Sequence, residues 1–193
     1  MAMNKAVSFD KIRVIIGVEG TKLNDQFIAK EIGYTCSNFT GSIGMNFGLQ
    51  DSKKYKKLDL QKSNFLYKFH HGIDIFNNNL NWPDTFDYEA VLKTIYHLSE
   101  DKNNPDKIYI GYNNDPHIAT LLHNSNLGDL AINLYNIYED IPSMKKIKLL
   151  PYYGHGVYSQ CFIHDRHTHA RIQCAAVKTK ILYEICLSKY KVI

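Results

Sequence analysis

Two β-rich runs joined by a short polar connection constrain the fold of this chain more than any other feature. The first, Arg13-Val14-Ile15-Ile16-Gly17-Val18, consists largely of β-branched residues between polar positions, the pattern of a mostly buried strand. Gln26-Phe27-Ile28-Ala29-Lys30-Glu31-Ile32-Gly33-Tyr34 reads as its neighbour. The connection Glu19-Gly20-Thr21-Lys22-Leu23-Asn24-Asp25 turns the chain, so the pair predicts a hairpin with Glu19 in the turn beside the sheet.

The remaining segments alternate between helical and strand character. Residues 37–50 hold a third strand or an irregular crossing, and residues 51–81 have weak periodicity. After Trp82-Pro83-Asp84, the positions Tyr88, Val91, Leu92, Ile95 and Leu98 recur at helical spacing, with Asp84 and Asp87 suited to the helix start. Lys107–Tyr112 reads as another strand. Asn114 or Asp115 caps the next helix, with Pro116 in its first turn and Ile118, Leu121 and Leu122 on one face. Ala131–Tyr135 is a further short strand. A final helix runs from Ala170 or Ala175 to Leu187, with Cys174, Val177, Ile181 and Ile185 on a common face. These elements predict a mixed α/β fold, and a length of 193 residues suits one domain over residues 1–193.

Charge is divided along the chain. Residues 1–80 carry a net +4, residues 81–143 a net −7 and residues 144–193 a net +7. Basic ends that meet in the fold would attract phosphates or an acidic partner. Four cysteines (Cys36, Cys161, Cys174 and Cys186) are too few for a disulfide framework and suit a reducing compartment. The start MAMNKAVSFDKIRVII lacks the zones of a secretory signal, and no apolar run reaches the roughly 18 residues of a membrane span. An intracellular location, cytoplasmic or nuclear, is expected. Neither a Walker phosphate loop nor a dinucleotide fingerprint is present.

Three segments, taken in order, resemble the DEDDh-type 3′–5′ exonucleases of the ribonuclease-H-like fold. Val14-Ile-Ile-Gly17-Val18-Glu19-Gly20-Thr21 with Phe27–Gly33 resembles that family's Asp-x-Glu-x-Thr strand and its second strand. Ile108–Leu122, which contains Asn113, Asp115 and His117, is similar to a strand and loop leading into an Asp-bearing helix. His169-Ala170-Arg-Ile-Gln-Cys174-Ala175 resembles the final His-x-x-x-x-Asp-Ala motif. The chain is also similar to uncharacterised proteins of insects and insect viruses with a His-His-Gly, Pro-Ser and Cys-x-x-His arrangement. The resemblance implies a ribonuclease-H-like domain, a mixed sheet with flanking helices, and Glu19, Asp115 and His169 as catalytic positions. It also implies magnesium or manganese as the activating ions if the site is active.

The departures from that pattern bear on chemistry. Such exonucleases hold two divalent ions on four carboxylates, one ion activating water while both stabilise the phosphate under attack. Here Gly17 and Cys174 stand where the family has aspartates. Magnesium prefers oxygen ligands, so neither glycine nor a thiolate is a good substitute. Capping the following helix is the alternative role for Asp115.

A second chemistry overlaps the last motif. Cys161-x2-His164-x2-His167-x-His169-x4-Cys174 brings together thiolates and imidazoles, the borderline-soft ligands zinc prefers. Cys161, His164, His167 and Cys174 are the expected ligand set, although Cys174 on a core-facing helix could equally be packed as a small hydrophobe.

Three functions follow as expectations. The first is a divergent exonuclease-like domain that binds RNA or single-stranded DNA with absent or strongly weakened hydrolysis, its lysines contacting phosphates and Tyr55, Phe65 and Tyr67 stacking bases. Another is a structural or self-assembling homo-oligomeric protein on the same fold, with zinc as the candidate fastener. The last is an active metal-dependent 3′–5′ exonuclease with altered ligands. None of the three involves a membrane.

Overall fold

The hairpin forms, and its strands are longer than the periodicity implies. In the computed structural model, which describes residues 7–44, 55–66, 87–138, 141 and 175–190, β1 spans Ile12–Leu23 and β2 spans Gln26–Cys36. The turn shrinks to Asn24-Asp25, both with positive φ (50° and 69°), the conformation a two-residue hairpin connection requires and Asn and Asp tolerate. Glu19 therefore lies within β1, paired with Glu31 of β2, and not in the turn expected from the sequence. The ladder bulges there: Glu19 pairs with Glu31 while Gly20 pairs with Ala29, leaving Lys30 as the extra residue on β2.

The third strand, β3 (Thr40–Gly44), pairs antiparallel with β2, and β4 (Tyr109–Tyr112) runs parallel to β1. Beyond β4 lies the short parallel strand β5 (Ala131–Asn133), giving the order β3-β2-β1-β4-β5. Five α-helices accompany the sheet among the described residues: α1 (Lys57–Leu66), α2 (Tyr88–Leu98), α3 (Pro116–Asn124), the single turn α4 (Leu134–Ile137) and α5 (Ala175–Tyr190). This is the mixed α/β arrangement expected of a ribonuclease-H-like fold.

Strand alternation divides the core into two layers. Val14, Ile16 and Val18 face α2 and α3, packing with Leu92, Ile95, Ile118 and Leu122. Ile12 and Ile15 belong to the opposite layer, with Val177, Ile181, Leu182 and Cys186 of α5. Val177 and Ile181 occupy the core face assigned to them from spacing, while Cys174 lies outside the described residues.

Two helix starts confirm capping chemistry read from the sequence. Asp87 caps α2 by accepting the Ala90 N–H at 2.9 Å, and Asp115 caps α3 by accepting the His117 N–H at 2.8 Å, with Pro116 in the first turn. The helix α1 lies in a region of weak periodicity and is fixed instead by the hairpin tip. The Asn24 N–H donates to Asp59 Oδ2, the Lys56 N–H to Asn24 Oδ1, and Lys56 Nζ to Asp25 Oδ2 at 2.7 Å. No helix among the described residues is long and apolar enough to cross a membrane.

Candidate functional site

A cavity of about 230 Å³ opens where β4 ends and β1 continues past it. Gly17, Glu19, Asp115, Lys178 and Thr179 line it, with Phe27 and Asn113 completing the polar and aromatic wall. Crevices beside the carboxyl ends of parallel strands are the usual ligand position in open α/β sheets.

Three elements deliver the polar groups. On the α5 side of the β1–β2 ladder, Gly17 pairs with Gly33 and Glu19 with Glu31, so two glycines and two carboxylates form successive rows. The loop after β4 is held by Asn114 and Asn133: the Asn114 N–H donates to Asn133 Oδ1 at 3.0 Å, and Asn133 Nδ2 returns a bond to Asn114 Oδ1 at 3.2 Å. This places Asp115 at the cavity with its carboxylate committed to the α3 cap. At the wall, the Phe27 ring stacks on His117 with centroids 3.9 Å apart.

The start of α5 is the decisive element, because it descends onto the paired glycines. A Cβ at position 33 would lie 2.2 Å from the Ala175 carbonyl carbon, and a Cβ at position 17 would lie 2.9 Å from Thr179 Cγ2. Thr179 is fixed by its hydroxyl, which contacts Thr35 Oγ1 at 3.0 Å and donates to the Ala176 carbonyl at 2.9 Å. At this depth the first turn of α5 meets both carboxylates. The Ala175 N–H donates to Glu31 Oε2 at 3.0 Å, a carboxylate at a helix N-terminus where the dipole favours it. Lys178 Nζ forms an ion pair with Glu19 Oε1. Both side chains are withdrawn from water, Lys178 at 6% exposure and Glu19 at 14%. Burial pulls the Lys178 amine down to about 7.

Of the residues anticipated from sequence, Glu19 and Asp115 meet at this cavity. His169, the third catalytic expectation, and the zinc candidates Cys161, His164, His167 and Cys174 lie outside the described residues. Lys178 and Glu31 were not anticipated. A signal for Lys178 does exist: it lies four residues after Cys174 and four before Leu182, a charged residue within an otherwise apolar helical stripe.

No family model matches the chain, and no curated protein does. Among solved structures, the chain is similar to the Mopeia virus exonuclease domain partially complexed with manganese. The TM-score is 0.55 at 17% identity, over 95% of this chain and 80% of that one. The fold is that of an exonuclease domain. The form of the Mopeia virus domain fully depleted of manganese gives a TM-score of 0.53 at 16% identity, over 94% of this chain and 79% of that one.

The exonuclease fold raises the question of whether the residues here suit a divalent ion. Hard cations need several oxygen ligands that are not already engaged. Glu19 is paired with Lys178, Asp115 caps α3 and Gly17 offers no donor. Among the described residues, no group of three or more His, Cys, Asp or Glu side chains is placed to hold a metal ion. Among the described residues, the donor set does not fit a two-ion hydrolytic site.

Proposed function

We propose that the chain is a divergent exonuclease-like domain that binds nucleic acid and whose hydrolytic activity is absent or strongly weakened. The observation that carries this reading is the Glu19–Lys178 ion pair, a lysine amine beside the carboxylate that the family resemblance assigns to metal binding. The cavity itself persists, with an aromatic wall at Phe27.

The basic surface beside it supports a nucleic-acid ligand. Docking of α1 on the hairpin tip brings exposed Lys56, Lys57 and Lys62 next to exposed Lys22, and Phe65 on the same helix is 52% exposed. Lysines that contact phosphates combined with an aromatic ring that stacks on a base are the ingredients of single-strand binding without sequence preference. RNA or single-stranded DNA is the expected ligand class.

The test is fluorescence anisotropy with short single-stranded and duplex oligonucleotides over a salt series, alongside gel assays of cleavage with magnesium, manganese and zinc. Binding that weakens with salt, without cleavage, is the expected result. No binding at low ionic strength rejects the nucleic-acid reading, and cleavage lost on Glu19→Gln in a folded protein would establish an active nuclease with altered ligands.

A further inference from the structure

We infer that the Lys178 ammonium is a built-in cation that takes the place of a divalent ion in the cavity, so that nucleic acid bound by this chain is held without metal. The inference deepens the proposed function and rests on it for the ligand alone; the exclusion of metal stands on the geometry of the cavity.

Three observations converge on it. Lys178 is buried, lines the cavity and directs its Nζ onto Glu19, which among the described residues is the one lining carboxylate that does not cap a helix. Its reach depends on the close approach of α5 over Gly17 and Gly33, and that approach brings Thr179 Cγ2 to 2.9 Å from where a Cβ at position 17 would lie. A glycine at 17 and an ammonium at 178 thus belong to one packing arrangement. Finally, Glu31, directly opposite Glu19, accepts the first N–H of α5, so the second carboxylate of the row is also satisfied by protein. An arriving dication would have to displace the lysine from a low-dielectric site and would meet its positive charge while doing so.

The experiment uses the whole chain at pH 6.5. In the wild-type protein, stoichiometric Mn²⁺ is expected to leave the Gly17, Glu19, Gly20 and Lys178 amide signals unbroadened in ¹⁵N-correlated spectra. Lys178→Gln removes the cation and keeps a polar side chain of similar length; it is expected to broaden those signals and to bind Mn²⁺ at least tenfold more tightly. Oligonucleotide affinity of the wild type is expected to agree within twofold in EDTA and in magnesium. Selective broadening of the Gly17–Gly20 signals in the wild type overturns the inference, as does oligonucleotide binding that requires magnesium. The wild-type spectra decide the question even if Lys178→Gln fails to fold. A wild type that excludes Mn²⁺ but binds no oligonucleotide would sink the nucleic-acid reading and leave the assignment of Lys178 intact.

Discussion

Glu19 and Glu31 stand directly opposite each other across the β1–β2 ladder, and the first turn of α5 satisfies each by a different means. Glu31 takes the Ala175 N–H and Glu19 takes the Lys178 ammonium. Like charges directly opposite in a sheet repel, so this pair of carboxylates makes the docking of α5 an electrostatic requirement as well as an apolar one.

Removing one member of the Glu19–Lys178 pair strands the other in a buried site. Glu19→Gln and Lys178→Met are each expected to destabilise the fold by about 3 to 5 kcal/mol, and the double variant to recover much of that loss because no unpaired charge remains. Urea denaturation of the four proteins closes the cycle. Additive losses would mean that the two side chains do not interact.

The two glycines beneath α5 differ in what they touch, and their substitution should differ accordingly. Gly17→Ala meets the Thr179 methyl and is expected to cost about 1 to 3 kcal/mol, with Thr179→Ser restoring most of it by removing that methyl while keeping the hydroxyl. Gly33→Ala meets backbone atoms of Ala175 and Ala176 at 2.2 and 2.3 Å and should have no side-chain rescue. Denaturation midpoints of the variants check both statements. Equal losses at the two positions would contradict the packing described for α5.

On the α1 and hairpin surface, Lys22→Glu and Lys62→Glu are each expected to weaken oligonucleotide binding and to reduce the salt dependence by about one unit of slope in a log–log plot. Both side chains are exposed, so thermal stability should hardly change. Unchanged affinity in both variants would remove this surface from the binding footprint.

Cys186 is buried against α5's core layer, and burial pushes its thiol up to about 12 from an ordinary 9.0. The unfolded thiol ionises first as pH rises, so its contribution to stability is full below about 9 and is lost as pH approaches 12. Cys186→Ala should flatten that alkaline loss. Peptide mapping after iodoacetamide treatment at pH 8 should find Cys186 unmodified in the native protein; rapid native labelling would contradict its burial.

Much of the sheet was legible in the sequence because its signals are local. The β-branched run at Val14–Ile16, the Asp115-Pro116 cap and the Val177/Ile181 stripe each carry their meaning within a few residues. The extent of β1 was not, because Asn24 and Asp25 can make the turn alone and Glu19 is then absorbed into the strand. Nor was α1, whose anchoring bonds join Lys56 and Asp59 to Asn24, more than 30 residues away in the chain. At the cavity, the spacing of motifs singled out Glu19 and Asp115, both of which line it. Lys178 escaped notice because its partner lies on another element, and a lysine in a helix ordinarily reads as surface.

The glycine at position 17 has an electrostatic consequence as well as a steric one. With α5 seated on Gly17 and Gly33, a carboxylate introduced at 17 collides with Thr179 before it can act as a ligand. A carboxylate ligand at 17 would need the start of α5 to shift and Lys178 to be replaced together, because that helix turn packs over Gly17 and places its ammonium on Glu19. The docking of α5 therefore works as an interlock: the same helix turn sets the packing against Gly17 and the charge beside Glu19, so neither can be altered without disturbing the other.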